Sequence, residues 1–215
     1  MFCCKHDRCG MRRKIQGMFH PTGNPQEDVP DAHAVPDVRA VAATFCLTNG
    51  ETLVQASESR LLVVVFLRHF GCTFTRQLLR GLEQIQRTAA AHDANLVLVH
   101  MLPSGEESRY LAGHGEVARI ADPRCELYRA FGLAKGGLRE LLAPRVWWLG
   151  MVAIFKGCGV GHLAGDGRQM PGVFLFHRGA IIAAQRAKTA ADLPDLDRLF
   201  DSLARTPSGP TPADP

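Results

Sequence analysis

The run LLVVVFL, residues 61–67, constrains what this chain can become more than any other short stretch of it. It is unbroken, rich in β-branched residues and too short for a typical buried helix, so it fits a strand covered on both faces, the central strand of a parallel sheet. Such a strand needs an apolar layer above and below. Downstream of it, Leu78, Leu82, Ile85 and Ala89 recur at intervals of three or four and mark one face of a long helix opening after Cys72. NLVLVH (95–100) reads as a second buried strand, and Ser104 with Glu107 has the capping-box spacing of a short helix ending near Gly113. VARIA (117–121) gives a third strand; Asp122 as N-cap and Pro123 at the first helical position then start a helix through Leu127 and Phe131 to a stop at Gly132. The order βαβαβα predicts parallel strands joined by right-handed crossovers. GVFLFHRGAIIAAQRA closes it with two strands about an Arg178-Gly179 turn, and Asp192 is placed to cap a last helix carrying Leu196, Leu199, Phe200 and Leu203. The fold class expected is α/β, ending in ββα.

Outside this core the pattern loosens. PTGNPQEDVPDAHAVPD spaces its prolines too closely for a helix or ladder, so residues 1–40 are expected to form a disordered tail, 41–205 the domain, and 206–215 a second tail. TFCLTNGETLVQ, with Asn49-Gly50 at its centre, suggests a hairpin at the domain's start. Leu138 to Phe155 is apolar and interrupted by Pro144, a helical cover followed by a pliable loop with glycines at 157, 159, 161, 165 and 167. The longest apolar run, VWWLGMVAIF, is too short to cross a bilayer, and no membrane association is expected. Arg12-Arg13 resembles a twin-arginine signal but lacks the apolar region that should follow, and the seven cysteines have no regular framework. Both point to a reducing cytoplasm. The net charge of +4 is scattered among residues of both signs, which disfavours a nucleic-acid partner.

Cys72, where the apolar strand gives way to the helix, is the residue with the clearest chemical potential. A thiol of ordinary pKa, about 8.5, is mostly protonated at neutral pH, and only the thiolate attacks peroxide or disulfide sulfur. A helix N-terminus would favour the anion, Thr75 three residues on could donate its hydroxyl to the sulfur, and Arg68, His69 and Arg76 offer positive charge nearby. The alternative is equally open on the residues alone: a lone cysteine is often a small buried hydrophobe. CCKHDRC at the start offers zinc-type ligands at poor spacing, the dispersed histidines have no acidic partner at metalloprotease spacing, and GCGVGHLAGDG lacks a Gly-Lys-Ser/Thr ending. Neither a metal nor a nucleotide is expected.

VVVFLRHFGCTFTR, DPRCELYRAFGL, GDGRQMPGVFLFHRGAII and QRAKTAADLPDL together resemble the peroxiredoxin-like branch of the alkyl hydroperoxide reductase and thiol-specific antioxidant family, within the thioredoxin-like superfamily. The likeness spans residues 41–204. It implies a thioredoxin-like fold with a central mixed sheet flanked by helices, and an antioxidant oxidoreductase in which Cys72 reduces a peroxide or exchanges with disulfides, with Thr75 beside it. It implies Pro171 as a cis-proline facing the thiol, and a substrate groove is then expected at Met170 and Pro171, with Arg76 on the helix face beside it. No organic cofactor is implied; an external thiol such as glutathione or thioredoxin would be the reductant, and a homodimer is compatible. The departures are specific. Thr75 stands where many members carry the second cysteine of Cys-x-x-Cys, and Val65 and His69 stand where true peroxiredoxins carry proline and the peroxide-activating threonine. Resolution would then fall to an external thiol or to Cys158, with Cys125 as a weaker candidate. The alternative function is a redox-inactive thioredoxin-fold binding module.

Overall fold

The computed structural model describes residues 37–114, 116–137, 148, 151–152 and 166–204. LLVVVF forms the central strand β1 (Leu61–Phe66), and every residue after Leu61 is buried. It pairs in parallel with β2 (Ala94–His100), which pairs in parallel with β3 (Ala118–Ala121). On its other side β1 takes β4 (Gly172–His177) antiparallel, and β4 takes β5 (Ala180–Arg186) antiparallel, giving the order β3-β2-β1-β4-β5. The sheet is therefore mixed.

The two faces of the sheet follow from the period of two along each strand. Leu62, Val64 and Phe66 join Val97, Val99, Phe174 and Phe176 in one core, with α2 (Leu53–Ser59) and α5 (Glu126–Ala130) packed over it. Phe66 meets Tyr128 edge-on at a centroid distance of 4.9 Å, and Phe131 and Phe174 at 4.9 and 5.4 Å. Val63, Val65 and Leu67 face the opposite way, onto Leu78 and Leu79 of α3 (Thr73–Arg80), Leu82 and Ala89 of α4 (Leu82–Ala91), and Leu196, Leu199 and Phe200 of α6 (Leu196–Ala204). Burying each large side chain contributes about 1.5–3 kcal/mol, so β1 is the strand on which both layers depend.

Several elements differ from the sequence expectation. The helix after Cys72 is two helices, because Gly81, at φ −90° and ψ 7°, ends α3 and leads into α4. The hairpin about Asn49-Gly50 is reduced to one antiparallel bridge, Cys46 with Thr52; Thr52 and Gln55 exchange capping-box hydrogen bonds and turn the following residues into α2. A short helix, α1 (Val38–Ala42), capped by Asp37, begins within the stretch expected to be tail. Among the described residues Ser104 caps no helix: the Glu107 carboxylate accepts from the Gly105 amide at 2.7 Å, and Glu106–Arg109 is a single 3-10 turn. Pro123 lies in a turn ahead of α5, yet the Asp122 carboxylate still performs the capping, accepting from the amides of Glu126, Leu127 and Tyr128 at 2.8, 2.8 and 3.2 Å. α6 is capped by Asp195, which accepts from the Arg198 amide at 3.0 Å, whereas Asp192 folds back onto the Lys188 and Thr189 amides. The Arg178-Gly179 turn is as expected, with φ of 50° and 74°, both positive as a type I′ hairpin turn requires. The glycine-rich loop up to Gly165, with Cys158, and most of Leu138 to Phe155 lie outside the described residues. Among the described residues no helix is long and apolar enough to cross a membrane.

Candidate functional site

The end of β1 delivers the chain to Arg68, His69 and, through a turn, to Cys72. The Cys72 amide donates to the His69 carbonyl at 2.9 Å, and its carbonyl accepts from the Arg76 amide at 3.1 Å, closing the first turn of α3. With φ −73° and ψ 129°, Cys72 is the extended N-cap residue of that helix. Its sulfur thus stands at the end where unpaired amides and the helix dipole favour negative charge. It is 6% exposed, packed with Phe74, Ala190 and Ala191.

Arg68 is the decisive neighbour. It is 7% exposed, and its guanidinium donates from Nη1 to Cys72 Sγ at 3.1 Å, from Nε to the Gln169 carbonyl at 3.3 Å and from Nη2 to the Gly167 carbonyl. Among the described residues no carboxylate forms an ion pair with it. Carbonyl dipoles solvate a buried cation without neutralising it, and buried charges are ordinarily paired. Among the described residues, the sulfur is the partner of Arg68 that can carry a negative charge.

His69 does not supply the positive charge that its position suggested. Burial, and secondarily the neighbouring Arg68 charge, lower its pKa to about 4 against a smaller opposing effect of Asp166. At neutral pH the imidazole is uncharged, and its Nδ1 is buried with no hydrogen-bond partner among the described residues. Thr75 is buried, but its hydroxyl makes no hydrogen bond to Cys72 Sγ among the described residues; the residue lines a neighbouring cleft instead. Arg76 is half-buried one turn along α3, and Met170 is buried. The Met170-Pro171 peptide is trans, contrary to the cis geometry expected. The Met170 amide donates to the Ala134 carbonyl and the Ala187 amide to the Pro171 carbonyl, so the segment enters β4 already extended, in the isomer that X-Pro bonds prefer.

The cleft encloses about 450 Å³ of empty space, part of it open to solvent. Its lining includes Arg68, Phe74, Thr75 and Leu78, the segment Pro171 to Val173, and Leu193 with Pro194. Arg68 and Pro171 therefore line one cleft, and Cys72 adjoins it through its contacts with Arg68 and Phe74. Cys125 is placed differently: it is buried at the N-cap of α5 with φ 54°, and burial, reinforced by Asp122, raises its thiol pKa. That disfavours the thiolate a resolving cysteine needs. Cys46, Cys72 and Cys125 are all free thiols.

Two consecutive parallel βα units, an antiparallel β4–β5 hairpin and a terminal helix, with a cysteine at the mouth of the helix after the central strand, are the thioredoxin arrangement. The structure of a peroxiredoxin 6 from Arenicola marina superposes with a TM-score of 0.52 at 13% identity, covering 79% of this chain and 76% of that one. The fold is that of the peroxiredoxins. The peroxidoxin BcpB of Mycobacterium tuberculosis matches with a TM-score of 0.49 and 13% identity, over 76% of this chain and 92% of that one. A thiol:disulfide interchange protein from Chlorobium tepidum, itself described as putative in that assignment, gives 0.47 and 18%, over 74% and 90%. No protein-family model matches the chain, and no curated protein sequence does.

The sequence reading named Arg68 only as nearby charge and did not single out Gln169, which holds a carbonyl against Arg68 from a hundred residues away. A glutamine between Arg168 and Met170 carries no local pattern that would distinguish it.

Proposed function

We propose that the protein is a thiol-dependent oxidoreductase in which Cys72, as thiolate, reduces a peroxide or exchanges with a disulfide. The observation that carries this reading is the buried Arg68 guanidinium, held by two carbonyls and directed at Cys72 Sγ, for which a thiolate is a fitting counter-charge. In the peroxide reaction the thiolate attacks the terminal oxygen of R–O–O–H. An S–O bond forms as the O–O bond breaks, the alkoxide leaves with the bonding pair and takes a proton to become R–OH, and sulfur is oxidised by two electrons to a sulfenic acid. A reducing thiol such as glutathione or thioredoxin then condenses with it, releasing water and leaving a mixed disulfide. A second thiol frees Cys72 and departs as the external disulfide. Neither a metal nor an organic cofactor enters these steps, and the reducing cytoplasm expected from the cysteine pattern would supply the thiol.

The absence of threonine at position 69 argues for slow peroxide turnover. A second reading, a redox-inactive module that uses the cleft to bind a partner, draws support from the 6% exposure of Cys72. One experiment separates them. The protein receives less than one equivalent of hydrogen peroxide, and each cysteine is followed by mass spectrometry, with Cys72→Ser as control and glutathione recycling as a parallel assay. Sulfenic acid at Cys72 ahead of Cys46 and Cys125, reversed by glutathione, supports the oxidoreductase. Oxidation of all three at similar rates, or of Cys72 last, sinks it.

A further inference from the structure

We infer that Gln169 is a positioning residue for Cys72, acting through Arg68. The inference rests on Cys72 being the reacting thiol, and it concerns what sets that sulfur's charge environment.

Gln169 is 1% exposed, an amide side chain whose nitrogen is turned toward backbone carbonyls. Its Nε2 donates to the Leu133 carbonyl at 3.1 Å and approaches the Ala134 and Met170 carbonyls at 3.4 and 3.5 Å. The backbone around it is tied as closely. Gln169 bridges antiparallel to Lys135, the Met170 amide donates to Ala134 at 3.3 Å, and the Gly136 amide donates to the Arg168 carbonyl at 2.7 Å. On the far side, Asp166 accepts from the Arg168 amide at 2.9 Å and pairs with Lys135 at 2.7 Å. The stretch from 166 to 170 is thereby stapled to residues 133–136, and what it presents toward β1 is a pair of carbonyls, Gly167 and Gln169.

Those two carbonyls are what Arg68 grips with Nη2 and Nε, which leaves Nη1 for the sulfur. A guanidinium is a rigid planar fork, so fixing two of its corners fixes the third. If the staple slackens, the fork turns with the carbonyls it follows and the contact with Sγ opens. The thiolate then loses a charge-assisted hydrogen bond in a site with little water to replace it. An apolar side chain at 169 would fill the same space yet leave the Leu133 carbonyl without this donor and residue 169 held by backbone alone.

The test follows the rate of Cys72 alkylation by iodoacetamide across pH in four proteins: wild type, Gln169→Met, Arg68→Met and the double variant. Gln169→Met is expected to slow the reaction about threefold to tenfold near neutral pH, with the difference vanishing at strongly alkaline pH, where every thiol is ionised. In the Arg68→Met background the same change should have no further effect, because the group it acts through is gone. A wild-type rate in Gln169→Met overturns the inference while leaving the redox reading intact. So does slowing that is independent of pH, or that adds to the loss from Arg68→Met, since either would mean that Gln169 serves only packing or access. If wild-type Cys72 is itself no more reactive than Cys46 and Cys125, it is the redox reading that fails. Should Gln169→Met not fold, the same cycle is run with Gln169→Asn, which keeps the amide but is one methylene too short to reach Leu133; its outcomes are read identically.

Discussion

Arg68 shows how much one side chain can demand of its surroundings. It places a permanent charge where water is nearly excluded, and its three contacts require a fork rather than a point charge. Arg68→Lys keeps the charge but can satisfy only part of that geometry. Peroxide consumption by the lysine variant should therefore fall about tenfold, and Arg68→Met should fall further, read as initial rates at equal protein concentration. His69 gives a prediction of opposite character, concerning stability. The unfolded chain binds a proton there near pH 6.5 and the folded chain only near pH about 4, so between those values the unfolded state holds more protons. Stability from this residue is complete above pH 6.5, declines as pH is lowered toward about 4, and levels off below it. Urea midpoints measured across that window should drop for the wild type, and His69→Gln should flatten this part of the profile. Arg68, His69 and Cys72 were visible in the sequence as neighbours, but the neutrality of His69 was not, because it depends on burial that no local pattern encodes.

At the scale of elements, the joint at Gly81 is the clearest case of sequence and structure diverging. The apolar spacing from Leu78 to Ala89 continues through it as though one helix ran past, since α3 and α4 lie on the same layer of core. Gly81 stops the first helix through its own cost in a helical backbone, about 1 kcal/mol relative to alanine. Its φ is negative, and a Cβ there would come no closer than 3.6 Å to the Leu78 carbonyl, an ordinary contact. Gly81→Ala should accordingly stabilise the protein by about 0.4–1 kcal/mol in urea unfolding, mainly by restricting the unfolded chain. A decrease would mean that the joint needs a looser geometry than the folded backbone displays. The same limit of local reading explains α6: Asp192 and Asp195 are both plausible caps by residue type, and only the turn that ties Asp192 to Lys188 and Thr189 decides between them.

Across the whole molecule, what was legible was the alternation of strands and helices, because each strand carries its own hydrophobic signature. The family likeness implied only that the sheet is mixed; the antiparallel insertion of β4 beside β1 was not legible, since no periodicity within a strand states which neighbour it takes. Residues 62–66 pair with 172–176, so the sheet closes only when segments more than a hundred residues apart meet. Phe66 sits at that junction, against Tyr128, Phe131 and Phe174. Phe66→Ala should cost about 3–5 kcal/mol, read from the chemical-denaturation midpoint, and should reduce Cys72 reactivity only through loss of folded protein. The cleft has unequal walls. One is the end of a strand whose every residue after the first is enclosed, while the other is the short loop from Ala187 to Pro194, whose turn the Asp192 carboxylate ties together. Tolerance to amino-acid change is therefore lopsided: redesign of what enters the cleft has room to work at the half-buried Leu193 and Pro194, and almost none along the strand or at Ala190 and Ala191, which are buried against Cys72.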